Sequence, residues 1–446
     1  MLESEPTLNG LAATITEAAK AITCYLEANG LPTPSFAEDS PPGYPRVPDV
    51  AIPRLNLINA LFELQHLILG PFDDIFTTPL FGNHDGMILD ILNQFDFFSA
   101  VPLRGSATYG EIAQKTNLPE SIVRRILRHA FLGHIFAEAP PSSGRVVHTA
   151  KSALVVKEPV IRGWIAHNLE EVRPATNNVA RSLREHSAGH RIASQDPLQS
   201  GFALADLDGS GRPVLHWDFL SNTPEGQREG YRAVRFSDAM ETVAMTSVVA
   251  SEDAIRLGFD WESLGDATVV DVGGSKGHDA IRQAKSFPRL RYIVQDLPEV
   301  QASFQLNVPK ELKDRVIYLV HDFFQPQTTF ADVYFLKMIL HDWSDNFASR
   351  ILQGLLPKIK QGSKLVLCEA VAPSADAPIP TFVKRITSSA DLQMLSLFNS
   401  LERSLEEWEA LLRGVDDGLE IRSIKDFPGT LWSVIVIEYK RQASRN

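Results

Sequence analysis

The sequence from residue 268 to residue 278 reads Thr-Val-Val-Asp-Val-Gly-Gly-Ser-Lys-Gly-His. Apart from Asp271, its first five residues are apolar or β-branched, which predicts a short buried strand. The glycines that follow, Gly273, Gly274 and Gly277, allow a sharp turn and let a ligand approach the main chain closely. The stretch therefore predicts the opening of a βαβ unit, with a ligand at the carboxyl end of its first strand.

The next residues complete the βαβ pattern. Asp279–Lys285 predicts a helix that stops near Pro288, and Arg291–Gln295 predicts a second strand that ends at Asp296. A carboxylate there can accept hydrogen bonds from ribose hydroxyls. The glycine spacing differs from that of dinucleotide-binding turns, and no lysine-serine pair of a triphosphate loop follows. A ligand with a ribose and no phosphate fits best, the alternative being a turn that simply needs glycine.

Length, charge and cysteine content restrict the classes of function. The 446 residues suit two domains, and a hydrophobic content of 44% is ample for a core. The net charge of −12 argues against nucleic acid or an anionic membrane surface as a main partner. Cys24 and Cys368 cannot build a disulfide framework or a cysteine metal site, and we expect no metal. With no signal peptide and no run near ~18 apolar residues, a cytoplasmic location is expected.

The amino-terminal part predicts helices separated by a proline-rich segment. Leu8–Asn29 has apolar residues at helical spacing, and Leu31–Pro53 contains seven prolines typical of a linker or an extended strap. Leu55–Leu69 is apolar nearly all round, which predicts a buried helix. A third helix is predicted for Gly86–Phe98.

A helix-turn-helix pattern follows between Thr108 and Phe136. The pattern consists of a short helix, Tyr109–Lys115, a turn at Asn117–Pro119 and a longer helix, Glu120–Phe136. Ser142–Val156 could form a β-wing. One interpretation is DNA binding through three arginines, Arg124, Arg125 and Arg128. The acidic chain and its enzyme-like remainder favour the other interpretation, a winged-helix domain used for dimerisation.

The middle of the chain predicts a helical connector. Val160–His186 is helical with an interruption at Pro174, Ser187–Thr223 reads as a loop, and Gln227–Ala250 is helical again. Its apolar and aromatic residues suit an aromatic or polyketide-like ligand. Scattered polar groups accompany them at His167, His216 and Trp217.

Beyond the first βαβ unit the sequence predicts a mixed sheet. Further strands are predicted at Val316–His321, Val333–Leu336 and Lys364–Cys368, with a helix at Ile351–Lys360. A closing pair of strands, separated by a turn at Pro428–Gly429, predicts an antiparallel edge on an otherwise parallel sheet. This pair is Glu420–Ile424 and Trp432–Tyr439.

One histidine is placed for acid–base chemistry. His341 follows the Val333–Leu336 strand and so lies at the carboxyl side of the sheet, where open α/β sheets bind ligands. Two carboxylates come later, Glu369 at the end of the next strand and Glu402. A histidine beside carboxylates has one tautomer fixed and can act as a general base towards an acidic hydroxyl. A lone histidine is more often structural, so the position alone leaves both interpretations open.

Five motifs occur together in a characteristic order. They are Asp271-Val272-Gly273-Gly274, Gln295-Asp296-Leu297-Pro298, His321-Asp322-Phe323-Phe324, His341-Asp342-Trp343 and Leu401-Glu402-Arg403. In this order and spacing they resemble the S-adenosylmethionine-dependent O-methyltransferases of the plant caffeate type, and more closely their fungal relatives in secondary metabolism. The resemblance covers roughly Leu55 to Tyr439.

The resemblance implies a fold and a cofactor. The fold is an α/β, Rossmann-like seven-stranded methyltransferase sheet with an N-terminal α-helical winged-helix dimerisation domain, and the cofactor is S-adenosyl-L-methionine. Gly273 would bind the methionine end, Asp296 the ribose hydroxyls, and Asp322 with Phe323 the adenine. The full set of cofactor-binding residues implied is Asp271, Gly273, Gly274, Asp296, Leu297, Asp322, Phe323 and Lys337.

The resemblance also implies a catalytic set and partners. His341 would be the base, flanked by Glu369 and Glu402. The acceptor, a small molecule, would be bound by Met394, Asn399 and Trp343. A homodimer is expected, in which the amino-terminal domain closes the acceptor pocket of the partner subunit.

Four segments are predicted on this basis. They are 1–53, a helix and proline-rich linker; 54–158, the winged-helix dimerisation domain; 159–250, a helical connector lining the acceptor pocket; and 251–446, the cofactor-binding methyltransferase domain.

The sequence departs from the family pattern at identifiable places. Ser275 stands for the usual third glycine of the turn, and Asn399-Ser400 stands where two glycines are usual before Leu401. The main functional hypothesis is O-methylation of a hydroxyl on an aromatic or polyketide-type secondary metabolite. The alternative is a related dehydratase or pericyclase that binds the same cofactor without transferring methyl, and a third is a DNA-binding regulator.

Overall fold

The computed structural model describes residues 6–245, 252–374, 376–377, 379–427 and 432–440, and it contains both the predicted sheet and the predicted amino-terminal helices. The helices are α1 Leu8–Ala28, α2 Pro48–Gln94, α3 Phe97–Ala100, α4 Tyr109–Thr116, α5 Glu120–Leu132, α6 Ala150–Lys157, α7 Ile161–Ala166, α8 Arg173–His186, α9 His216–Ser221, α10 Tyr231–Met245, α11 Glu252–Gly258, α12 His278–Ser286, α13 Gln301–Asn307, α14 Asp345–Leu355, α15 Thr381–Phe398 and α16 Leu405–Val415. The strands are β1 Ala107–Thr108, β2 Phe136–Glu138, β3 Arg145–His148, β4 Thr268–Val272, β5 Arg291–Asp296, β6 Val316–Val320, β7 Val333–Lys337, β8 Lys364–Ala370, β9 Leu419–Asp426 and β10 Trp432–Tyr439.

The chain divides into two units. Unit 1 comprises the described parts of 1–174, 219–243 and 378–386, and unit 2 those of 175–218, 244–377 and 387–446. The segment predicted as one connector, 159–250, is therefore shared between the two units. The functional division at residues 53, 158 and 250 stays a prediction.

The long helix α2 corrects two predictions for unit 1. The helix expected at Leu55–Leu69 ends as predicted at a kink, Gly70, where φ is +65°, whereas the helix expected at Gly86–Phe98 is the last part of the helical stretch that follows this kink and ends at Gln94. The first of them is not buried, since Ile68 keeps 67% of its surface exposed. The sequence shows only that these residues are apolar, and an apolar helix face stays exposed when nothing in its own chain covers it.

The helix-turn-helix pattern forms with shorter elements than predicted. Helix α4 has a capping box at Thr108 and Glu111, and the turn to α5 passes through Asn117 in the left-handed region, with φ of +55°. Strands β1, β3 and β2 form a three-stranded antiparallel sheet beside these helices. The wing predicted at Ser142–Val156 is wrong in its second half, which is the helix α6. Thr149 begins that helix as a capping box with Ser152, a helix-start signal that the prediction of a wing overlooked.

The proline-rich segment is an extended strap pinned to unit 1. The ring of Phe36 stacks on His134 with centroids 4.0 Å apart, and Ala37 forms an isolated bridge with Thr149. The Lys157 ammonium donates to the carbonyl of Glu38 at 2.6 Å. The predicted interruption near Pro174 is a π-helical turn, His167–Val172, between α7 and α8.

Unit 2 is built on the predicted sheet. Its strand order is β6-β5-β4-β7-β8-β10-β9; the first five strands are parallel, and β10 pairs antiparallel with both β8 and β9. The antiparallel edge is confirmed, while the Pro428–Gly429 turn lies outside the described residues. The helix predicted at Ile351–Lys360 begins earlier, at Asp345 after Ser344, and ends at Leu355. Apolar clusters cover both faces of the sheet, so the carboxyl ends of the parallel strands are left to carry a site.

Candidate active site

His341 lies on a short turn at the carboxyl end of β7. Met338 leaves the strand in the left-handed region, with φ of +53°, and a single 3₁₀ turn, Leu340–Asp342, follows. This sharp exit turns His341 into the interior, where 5% of its surface stays exposed. A non-glycine residue in that conformation costs about 1–3 kcal/mol and persists where surrounding contacts hold it.

Glu402 fixes the orientation of the imidazole. Its Oε1 lies 2.9 Å from His341 Nδ1, and both side chains are buried. Because a carboxylate accepts from Nδ1–H, the neutral ring carries its proton there and Nε2 is the nitrogen with a lone pair. The predicted pairing of these two residues is thus present as a direct hydrogen bond.

Glu369 acts on the backbone of the turn and contacts His341 only through its charge. Its Oε1 accepts from the N–H groups of Ile339 at 3.1 Å and Leu340 at 2.8 Å. Burial raises the pKa of this carboxyl above its usual range. Glu369 was predicted to flank the histidine, and in the structure its hydrogen bonds are to main-chain donors of the turn.

Asp342 is a site residue that the predicted catalytic set omits. Its Oδ1 lies 3.5 Å from His341 Nε2, on the side opposite the bond to Glu402. Burial raises the pKa of Asp342 to about 7, although the imidazolium of His341 opposes that shift. The sequence does indicate Asp342, because it directly follows the histidine in the motif His341-Asp342-Trp343.

The carboxylates together set the charge of His341. Burial by itself would lower the pKa of the imidazole, but Asp342, Glu402 and Glu369 outweigh it and raise the pKa to about 10. The imidazolium is therefore the favoured form near neutral pH in the protein without ligand.

The turn after β4 forms a cradle in which side chains are excluded. Gly273 has φ of +71°, and a Cβ added there would lie 2.6 Å from Cδ1 of Ile339. A Cβ on Gly274 would lie 2.5 Å from the carboxyl group of Asp271. Burial, reinforced by the charge of Asp279, raises the pKa of Asp271 to about 8. Close approach thus requires glycine at both positions, and backbone conformation requires it at Gly273 as well.

Asp296 is positioned at the carboxyl end of β5, as predicted. Its Oδ2 accepts from the N–H of Ser275 at 2.8 Å, and its Oδ1 accepts from the N–H of Leu297 at 2.8 Å. These bonds tie the carboxylate to the glycine turn. The side chain of Leu297 itself is half exposed.

The remaining predicted cofactor residues surround this turn. The Phe323 ring lies 3.7 Å from the Cβ position of Gly273, and the carboxylate of Asp322 accepts from the N–H of Phe324 at 2.9 Å. Lys337 donates to Asp279 Oδ2 at 2.8 Å. Its ammonium thus pairs with Asp279, an acid in the first turn of α12 that lies outside the five motifs.

The residues predicted to bind the acceptor occupy three different environments within unit 2. Met394 is buried on α15, and Asn399 follows that helix with φ of +52° and donates from Nδ2 to the carbonyl of Asp196 at 2.8 Å. Trp343 packs edge-to-face on Phe324 with centroids 4.7 Å apart. The structure brings all three within the unit that carries His341, and their contact with an acceptor stays a prediction.

Comparisons with known proteins agree with this geometry. The family model for the O-methyltransferase domain matches residues 227–416. O-methyltransferase lcsG of Purpureocillium lilacinum is 31% identical over 418 residues, covering 91% of this chain and 88% of the relative. The chain belongs to the S-adenosylmethionine-dependent O-methyltransferase family. Within this family the glycine turn and Asp296 are the residues expected to hold the cofactor.

Two solved structures share the fold of this O-methyltransferase. One is OxaC in complex with SAH and oxaline, with a TM-score of 0.73 and 19% identity, covering 96% of this chain and 100% of that one. The other is described as a pericyclic reaction enzyme, with a TM-score of 0.70 and 20% identity, covering 97% and 100%. No helix among the described residues is both long and apolar enough to cross a bilayer.

The residues present fit a nucleoside cofactor. The Gly273–Gly274 turn offers main chain at a position where a side chain would collide, and Asp296 presents a carboxylate that its two N–H donors orient. This is the donor set that a ribose and an amino-acid end require.

Proposed function

We propose that this enzyme transfers the methyl group of S-adenosylmethionine to a hydroxyl of an aromatic or polyketide-type secondary metabolite, with His341 as the general base. The observation that carries the proposal is the buried Glu402–His341 pair, joined at 2.9 Å through Nδ1. That bond leaves Nε2 as the ring nitrogen that accepts a proton.

Each residue of the site has a distinct role in this reaction. S-adenosylmethionine, when bound, would supply an electrophilic methyl carbon. The turn at Gly273 and the carboxylate of Asp296 bind the cofactor, while His341 takes the proton of the acceptor hydroxyl on Nε2. Glu402 holds the tautomer, and Glu369 fixes the backbone of the turn. A positioned base contributes about 10²–10⁴-fold in rate.

The base must lose its proton before the acceptor hydroxyl can donate one. Asp342, Glu402 and Glu369 raise the pKa of His341 to about 10 against the effect of burial, so the ligand-free site favours imidazolium. The positive charge of S-adenosylmethionine, when bound beside the glycine turn, would oppose the imidazolium and so favour the neutral form of His341. Cofactor binding and activation of the base are coupled in this way.

The class of acceptor is inferred from relatives and from the residues around the site. The relative lcsG is named an O-methyltransferase, and the structural neighbour OxaC was crystallised with oxaline, a small molecule. In unit 2, Trp217 stacks on the buried Phe398 with centroids 5.7 Å apart, and we expect such aromatic side chains to line the site of a planar acceptor. Met394, Asn399 and Trp343 are the side chains that we expect to bind it.

The test is transfer of labelled methyl from S-adenosylmethionine to a panel of phenols, hydroxyquinones and pyridones. We expect labelled product with the wild type and a kcat lower by about 10²–10⁴-fold in His341→Gln. His190→Gln, which changes an exposed histidine of the same unit, is the matched control and should behave as the wild type. Equal rates for wild type and His341→Gln would remove His341 from the role of base.

A second candidate is a dehydratase or pericyclase that binds the cofactor without consuming it. The raised pKa of His341 favours it, because an imidazolium donates protons and stabilises developing negative charge. The shared fold with a pericyclic reaction enzyme is compatible with both candidates. Acceptor consumed at a constant cofactor level, with no label in the product, would decide for this candidate.

A homodimer formed through unit 1 belongs to the same proposal. Apolar side chains on α2 beyond Gly70 are largely exposed, with exposed fractions of 76% for Phe72, 73% for Ile75 and 62% for Phe76. A row of large apolar residues exposed on one helix marks an interaction surface. A second copy of the chain covers it in our proposal, which makes the predicted winged-helix region, with α2, a dimerisation domain.

A further inference from the structure

The turn that carries His341 is held from one side by a single short segment, residues 400–403. Ser400 Oγ donates to the carbonyl of His341 at 2.6 Å. Glu402 bonds to the imidazole, and Arg403 donates to the carbonyls of Leu340 at 2.8 Å and Trp343 at 2.7 Å. Three carbonyls of the turn and the catalytic ring thus share one support.

Arg403 is the centre of that support. Its side chain is fully buried, and its Nε donates to Asp345 Oδ1 at 2.9 Å, in addition to the two carbonyls that bracket His341. The guanidinium also lies over the ring of Trp408, 5.2 Å from its centroid. Burying a cation is unfavourable unless its donors are paired, and these donors are paired with the catalytic turn.

The opposite side of the turn is held by Glu369, whose carboxylate accepts from the N–H groups of Ile339 and Leu340. The turn therefore lies between the accepting carboxylate of Glu369 on β8 and the donating side chains of Ser400 and Arg403, which precede α16. Removing the donors would leave the carbonyls of Leu340 and Trp343 without these partners, and the turn would shift towards a new arrangement.

We propose that Arg403 is a positioning residue, which fixes the turn so that His341 keeps its bond to Glu402 and aims Nε2 at the acceptor. The planar fork of Arg403 spans the two carbonyls, a geometry that lysine does not reproduce. The inference rests on the proposed function for its kinetic consequences, but the position of the imidazole is measurable without turnover.

The kinetic test compares Arg403→Gln, Arg403→Lys and Ser400→Ala with Arg413→Gln. Arg413 is an exposed arginine of α16 and serves as the control. We expect kcat to fall about 10²-fold in Arg403→Gln, as for a displacement near 1 Å, with cofactor affinity changed less than about 2-fold. Arg403→Lys should recover only part of the loss, Ser400→Ala should lose about 10-fold, and Arg413→Gln should match the wild type.

The second readout is the titration of His341, followed by NMR of protein labelled with ¹³C in its histidine rings. The signal is assigned by its absence in His341→Gln. The groups that face the ring are Asp342 of its own turn, Glu402 before α16, Glu369 on β8 and the uncharged indole of Trp432 on β10. A displaced ring loses contact with Glu402, so its pKa should move down towards the ordinary value in Arg403→Gln.

The two readouts separate this inference from the proposed function. An enzyme that transfers no methyl would contradict the proposed function, while the titration would still report on the role of Arg403. An unchanged titration in Arg403→Gln, Arg403→Lys and Ser400→Ala overturns the inference. Thermal melting is recorded for each variant, and if Arg403→Gln does not fold, Ser400→Ala and Arg403→Lys decide by the same titration.

Discussion

At the scale of single residues, Asp342 is expected to set the pH at which His341, the proposed base, loses its proton. Its carboxylate oxygen lies 3.5 Å from Nε2 of His341. Burial lowers the pKa of His341, but the nearby carboxylates, of which Asp342 has the largest effect, raise it to about 10. In Asp342→Asn the imidazolium loses this support, so its pKa should fall. We expect the acid limb of the kcat/KM profile for the acceptor to move to lower pH.

The measurement is kcat/KM against pH for wild type and Asp342→Asn. Asp417→Asn is the matched control, because Asp417 is an exposed acid of the same unit and lies outside the His341 turn and its support. A limb that stays in place in Asp342→Asn would show that His341 is not the group titrating in the free enzyme.

The same charges make stability depend on pH. The pKa of His341 is about 10 in the folded protein against an ordinary 6.5, so its stabilising contribution is present below 6.5 and is lost as pH rises through 10. The pKa of Asp342, about 7 against 3.8, acts in the same direction at lower pH. Urea unfolding should give a smaller free energy of unfolding at pH 9.5 than at pH 6.5. That difference should shrink in His341→Gln, and an unchanged difference would contradict the assignment.

The sequence patterns predicted which residues belong to the site better than they predicted the contacts that those residues make. His341 was predicted to lie between Glu369 and Glu402, and it forms a direct hydrogen bond with Glu402. The roles of Glu369 and Arg403 depend on main-chain groups that come together only in the folded turn. The order of residues along the chain does not give the distances between these side chains and the main-chain groups of the turn, so these roles could not have been predicted.

At the scale of elements, the junction of β4 with its glycine turn makes a sharp prediction. Gly273→Ala places a Cβ 2.6 Å from Ile339 Cδ1 and strains a φ of +71°. We expect cofactor affinity to fall at least about 10-fold, because the turn must move away from the position in which its backbone receives the ligand. Calorimetric titration with S-adenosylmethionine measures the change.

The control for this variant is Gly362→Ala. Gly362 has φ of +94° but nothing within 4 Å of the added Cβ, so it carries the backbone strain without the collision. Equal cofactor affinity in the wild type and Gly273→Ala would mean that the turn does not form the cofactor site. A similar loss in both variants would assign the effect to general destabilisation.

Local pattern predicted the sheet well because most of its central strands are largely buried and its strands are bounded by turns. Strands β4, β5 and β7 lie within one residue of their predicted limits, and Trp432–Tyr439 was predicted without error. The helix between β7 and β8 was predicted too late in the chain, and the larger errors fell in unit 1, where the burial of α2 and the fold of Ala150–Lys157 depend on neighbours. Apolar content alone does not say what covers a helix, and short apolar runs suit strand and helix alike.

At the scale of the whole molecule, the residues proposed for catalysis and those proposed for association belong to different units. His341, its carboxylates and the glycine turn all lie in unit 2, whereas the exposed apolar residues of α2 lie in unit 1. Variants of one set should therefore leave the immediate contacts of the other intact. This separation allows association to be tested without altering any residue assigned to catalysis or cofactor binding.

The double variant Phe72→Lys with Phe76→Lys tests the proposed dimer. The two rings lie parallel with centroids 6.4 Å apart and are mostly exposed. Each such ring contributes about 1.5–3 kcal/mol when buried in an interface, and a lysine there would bring an unpaired charge. We expect the wild type to sediment as a dimer and the double variant as a monomer. The two substitutions should leave the thermal unfolding of the monomer unchanged.

Leu306→Lys, which changes an apolar residue of α13 that is 90% exposed, is the control and should remain dimeric. A wild type that sediments as a monomer at micromolar concentration, or a double variant that stays dimeric, would show that α2 is not the surface through which two copies associate.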